Sequence, residues 1–135
     1  MILIAALFLT TAQVATAAPQ DAADEIVVVG KRLKSWRGKA TIKGSKASCK
    51  TSVSTGDKEI DLIGCQALEV CLPPFQTRVD ASAAKGISSA VRKEMVAALN
   101  RDLADCVRER RSVLVADLVD RRMEERLRKA DAQNN

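Results

Sequence analysis

The 135-residue chain has no histidine and no tyrosine, a single tryptophan and two phenylalanines. Without imidazole there is no Ser/His/Asp or Cys/His nucleophile arrangement and no near-neutral general base of the usual kind. A zinc centre is disfavoured for the same reason, because Cys49, Cys65, Cys71 and Cys106 include no C-x2-4-C pair and no histidine completes a ligand set. So few aromatics leave a core of Val, Ile, Leu and Ala, thin enough for cross-links to matter. Two further absences are local. No Lys or Arg precedes Lys31, and no Asp or Glu lies between Lys31 and Lys50.

Carboxylate chemistry remains as a route to catalysis. Asp57, Glu59 and Asp61 form the one acidic cluster outside the leader and the C-terminal helix, but they sit in the first turn of an expected helix, where the dipole accounts for them. Gly56-Asp57-Lys58 has neither Walker nor dinucleotide spacing around it. The expectation is a non-enzymatic protein with no cofactor and no metal.

Residues 1–17 are apolar and thin into Ala15-Thr16-Ala17, a small-x-small cleavage pattern, so a signal peptide is expected despite the missing basic start. An uncleaved anchor is the alternative, at the lower edge of what spans a bilayer. Four cysteines behind an export signal imply two disulfides and a periplasmic location. Residues 18–34 then form a flexible acidic leader that ends in Ile26-Val27-Val28-Val29-Gly30, a strand without polar alternation.

Residues 35–119 make up the stapled domain. Lys43-Gly44-Ser45-Lys46 suits a type II′ turn, with paired residues Trp36/Val53, Gly38/Thr51, Ala40/Cys49 and Ile42/Ala47 on an apolar face. Arg37, Lys39, Lys43, Lys46 and Lys50 fall on the opposite face. Asp57 caps a helix over 58–71 that Pro73-Pro74 stops, with Ile60, Ile63, Gly64, Ala67 and Cys71 on one side and Cys65, Leu68 and Leu72 on another. If the first side lies on the hairpin, Cys49 and Cys71 both stand about 20 Å from Gly56. That geometry favours Cys49–Cys71 with Cys65–Cys106; Cys49–Cys65 with Cys71–Cys106 stays open.

After a loop through Phe75, Arg78 and Asp80, Ser88 caps a long helix. Its drifting stripe is Val91, Met95, Ala98, Leu99, Leu103, Cys106, Val107, Leu114 and Leu118. Its arginines and acids are mixed and largely offset, and packing of two copies through Leu114, Leu118 and Met123 is an alternative use of its apolar side. Residues 120–135 are expected to be a charged helical extension that frays.

The eight basic residues between Lys31 and Lys50 place Lys39 opposite Lys50 and Lys43 opposite Lys46. Such like-charge pairs cost a sheet stability. Either they keep the hairpin from pairing edge to edge, or they bind an anionic envelope polymer or lipid; nucleic acid is not expected, because aromatic stacking groups are lacking.

Asp24-Glu25-Ile26-Val27-Val28-Val29-Gly30 resembles the TonB box of TonB-dependent outer-membrane receptors. The resemblance implies a segment, Glu25, Ile26, Val27, Val28, Val29 and Gly30, that adds as a strand to the sheet edge of a TonB C-terminal domain or another envelope protein. It is equally readable as a third strand of this protein's own sheet. Ser54-Thr55-Gly56-Asp57, with Ile60-Asp61 and Pro73, is similar to the strand-turn-helix step of the TonB C-terminal domain, although the cysteines and the long helix depart from that pattern. Together these features look like those of small periplasmic proteins from bacteria rich in TonB-dependent receptors. The expected fold is α+β: a basic β-hairpin packed on a Cys-rich helix, plus a long C-terminal helix held by a disulfide. The expected role is accessory, presenting Glu25–Gly30 to a TonB-type sheet edge, with anion binding on the hairpin as the alternative.

Overall fold

The computed structural model describes residues 18–134, and the expected signal peptide lies outside them. In chain order the elements are α1 (Ala18–Ser35), β1 (Arg37–Lys43), β2 (Lys46–Val53), α2 (Lys58–Cys71), a 3-10 turn at Pro73–Phe75, α3 (Gln76–Ala83) and α4 (Ser89–Gln133). The architecture is α+β, with one antiparallel hairpin against a cysteine-bearing helix and a long C-terminal helix tied on by a disulfide.

Helix α2 is central. Asp57 is extended at its start, and its Oδ1 accepts the N–H groups of Glu59 at 3.0 Å and Ile60 at 3.3 Å. These are donors that a helix start otherwise leaves unpaired. The buried side is Ile60, Ile63, Gly64, Ala67 and Cys71, as the sequence implies. Its partner is not the hairpin, however. Ile60 and Ile63 share a core with Val29 and Leu33 of α1 and with Val115, Leu118 and Val119 of α4. Two helices bring large branched side chains to that side, whereas the hairpin brings only Gly38, Ala40, Ile42, Ala47 and Cys49.

The strand expected at Ile26–Val29, and the flexible leader around it, are instead one helix of 18 residues. Holding four β-branched residues in a helix costs up to about 0.7 kcal/mol each. Burial of Val29 and Leu33, which are 0% and 6% exposed, contributes about 1.5–3 kcal/mol each. Tertiary burial wins over strand propensity, helped by Asp21 in the first turn and Arg32 and Lys34 in the last.

The hairpin register is the expected one from Gly38↔Thr51 through Lys43↔Lys46, but Arg37 pairs with Val53, which leaves Ser52 as an extra residue. Gly44 has φ +62° and Ser45 is not in the left-handed region, the pattern of a type II′ turn. The bulge bends the ribbon and takes Trp36 out of the strand into the corner after α1. There its indole covers Gly38 and Gly64 and donates Nε1–H to Thr51 Oγ1 at 3.1 Å.

That placement corrects the preferred disulfide pairing. The bonds are Cys49–Cys65 and Cys71–Cys106. Because α2 turns its apolar side to the helices, the hairpin meets the flank that carries Cys65, and Cys71 faces α4. Glu69 lies one turn further on and accepts the Cys49 N–H at 2.9 Å.

Two other expectations shift. The segment through Phe75 and Asp80 is the 3-10 turn and α3 rather than a loop. In α4, capped by Ser88 as expected, Leu99 and Leu118 are buried but Val115 and Val119 join them, while Val91 and Leu127 are exposed. Leu114 and Met123 pack on the core of their own chain. Beyond Met123 the side chains through Asn134 are exposed, and the helix runs on to Gln133.

Candidate functional site

The outer face of the hairpin carries the strongest unbalanced charge. Lys39 stands across from Lys50 and Lys43 across from Lys46, all exposed, with Thr41 and Ser48 between them joined through their hydroxyls at 3.0 Å. Residues two apart on one face are about 6.6 Å apart along a strand, so the two lysine pairs stand roughly 13 Å from each other. Among the described residues, none of the four forms an ion pair. A depression of about 320 Å³ runs beside Lys39, Thr41, Ser48 and Lys50. Arg37 does not join this group with its full donor set, because Nη1 donates to the carbonyl oxygens of Lys34 at 2.7 Å and Trp36 at 2.8 Å, closing the end of α1.

Glu25–Gly30 lies in α1 and is divided by the helix. Val29 is fully buried, Gly30 half-buried, and Ile26, Val27 and Val28 are 45%, 53% and 46% exposed. Glu25 is committed to Arg122, 3.0 Å from its Nη1. As an unpaired extended strand the segment is not present; its hydrogen bonds are those of the helix.

The acidic cluster is engaged as well. Arg122 reaches from α4 to Asp57 at 2.6 Å, Glu59 at 2.9 Å and Glu25 at 3.0 Å, joining three helices at one guanidinium. Partial burial pushes the Asp57 carboxyl up, but Arg122 and the N–H groups of Ile60 and Glu59 outweigh it and hold it below its usual range. Burial likewise opposes the Arg122 charge, and the three carboxylates more than offset this, raising its pKa. Asp61 accepts from Ser54 Oγ, from Thr55 N–H at 2.8 Å and from Thr55 Oγ1 at 2.8 Å. Those hydroxyl and amide donors overcome its desolvation and hold its carboxyl low too. The Ser54–Asp61 motif is therefore a closed turn around Gly56, whose φ is +83°.

Nothing in the local sequence marks Arg122 as a hub, or singles out Arg111, which lies over the Trp36 ring 5.1 Å from its centroid. The available clue was the first turn of α2, where Asp57, Glu59 and Asp61 outnumber their one basic neighbour, Lys58. Among the described residues no group of three or more His, Cys, Asp or Glu is placed to hold a metal ion, and no helix is long and apolar enough to cross a membrane. Comparison with protein-family models, with curated proteins and with solved structures finds no match.

Proposed function

We propose that this chain is a non-enzymatic accessory protein of an oxidising envelope compartment, the periplasm, that holds an acidic polymer on the outer face of its hairpin. The observation that carries this reading is the pair of lysine pairs, Lys39↔Lys50 and Lys43↔Lys46, facing solvent with none of the four in an ion pair among the described residues. Like charges directly opposite one another destabilise a hairpin, and a ligand with repeating negative charge relieves that repulsion. The spaced charges suit an extended acidic polysaccharide. Two disulfides are compatible with such a compartment.

The test is a titration of the oxidised protein with polygalacturonate at about 50 and about 200 mM salt, where four phosphate-like contacts would weaken on the order of tenfold or more. Binding should fall further in the Lys43→Gln/Lys46→Gln variant. Affinity indifferent to salt and to both substitutions rejects the reading, and binding to anionic vesicles but not to polymer replaces the polysaccharide with a lipid surface.

A second reading keeps the TonB-box resemblance, favoured by one observation: four β-branched residues stand in α1 against their local preference, three of them about half exposed. Presenting Glu25–Gly30 to a TonB-type sheet edge then requires α1 to leave the core. Amide exchange distinguishes the two. Protection at Ile26–Val29 that is lost on adding a TonB C-terminal domain supports strand presentation, and unchanged protection removes it.

A further inference from the structure

Between α1 and α4 runs a groove of about 530 Å³, within the roughly 300–1,000 Å³ typical of small-molecule sites. Ile26 and Leu33 form one apolar wall and Val107 and Val115 the other; Gly30 leaves the α1 side open, since a Cβ there would meet nothing within 4 Å. The charged lining is of one sign. Lys34, Arg108 and Arg111 contribute cations, and among the described residues no acid lines the groove. Arg108 is paired with Asp105 at 2.7 Å, whereas Lys34 and Arg111 have no acidic partner among the described residues.

Arg111 is the more informative of the two. Its Nε is buried with no hydrogen-bond partner, although the guanidinium lies over Trp36. A buried donor left unpaired is costly, and a guanidinium accepts no substitute so well matched as a carboxylate, which engages two of its N–H groups side by side. An apolar groove that also carries a cation without a counter-ion among the described residues is complementary to an amphiphile with one tail and one negative head.

We propose that this groove binds a long-chain fatty acid, its alkyl chain between α1 and α4 and its carboxylate on Arg111, with Lys34 as the second cation. The site is separate from the hairpin face, since neither Lys39 nor Lys50 lines it, so the two readings stand or fall independently.

Dodecanoate below its micelle concentration is the probe, titrated into the oxidised full chain by calorimetry. Trp36, the one tryptophan, supplies a second signal because it lies under Arg111. Saturable binding of one dodecanoate is expected, with dodecanol and the Arg111→Met variant each weaker by about tenfold or more, as loss of a charge-assisted hydrogen bond implies. Acetate should not bind measurably, and Lys46→Gln should leave dodecanoate affinity unchanged. Gly30→Leu fills the groove from α1 without altering any charge, so it should raise the melting temperature while abolishing binding. No saturable dodecanoate binding, equal affinity for dodecanol, or undiminished binding by Gly30→Leu would each overturn the proposal. Gly30→Leu decides the matter even if Arg111→Met fails to fold.

Discussion

Trp36 is 4% exposed because two glycines make room for it. A methyl group on Gly64 would run into the indole ring carbons. Gly64→Ala in α2 therefore sets two effects against each other: about 1 kcal/mol gained in helix propensity and about 1–3 kcal/mol lost to overpacking. Net destabilisation of about 1 kcal/mol is expected, read in urea from the emission of the lone tryptophan; a more stable variant would mean that the ring does not rest there. Arg122 offers a pH test. The Asp57 carboxyl is held low in the folded chain, so its contribution is complete above the unfolded aspartate value, about 3.9, and is lost as pH falls through the folded one. Arg122→Met should cost about 1–3 kcal/mol at pH 7, and its deficit against the parent should shrink as pH falls below about 3.9 and Asp57 protonates. A gap that is constant with pH would assign Arg122 a packing role only. The caps at Asp57 and Ser88 were legible because the hydrogen bonds involved span two or three residues. Arg122 was not, since its partners are 63, 65 and 97 positions away.

Among the elements, the hairpin and α2 were written in local chemistry: a glycine turn, side-chain alternation, an aspartate cap and a proline stop all pointed the same way. Helix α1 was not. Only Val29 and Leu33 mark its buried side strongly, and Val27 and Val28 break the 3.6-residue pattern by facing solvent, so strand propensity dominated what could be seen. The lysine ladder allows an element-level check of the proposed polymer site. Lys50→Glu places an opposite charge across from Lys39 and should stabilise the hairpin by about 0.2–1 kcal/mol. The same change should weaken polygalacturonate binding. Greater stability with unchanged affinity would argue that the lysines do not hold the polymer.

For the whole molecule, the fold class was readable and the assembly was not. An apolar side of α2 fits a hairpin or a pair of helices equally well in sequence, and choosing the hairpin led directly to the wrong cysteine partner. The candidate sites divide similarly: the hairpin lysines follow from alternation, whereas the α1/α4 groove exists only because residues some 80 positions apart are brought together, as with Leu33 and Val115. Helix α4, with 45 residues, is about 68 Å long at 1.5 Å per residue, and the core holds it mainly through Leu114–Met123.

The Cys71–Cys106 bond spans the whole connection between α2 and the middle of α4, including the exposed stretch at Lys85 and Gly86. Backbone continuity there is thus redundant with a second covalent route. A protease site inserted after Lys85 and then cut should leave a single species on a non-reducing gel, folded as before, which separates into a Cys71-bearing and a Cys106-bearing piece only on reduction. A nick at that point would make a two-chain molecule of a one-chain gene product, and new termini placed there would sit on a body that is already sewn shut.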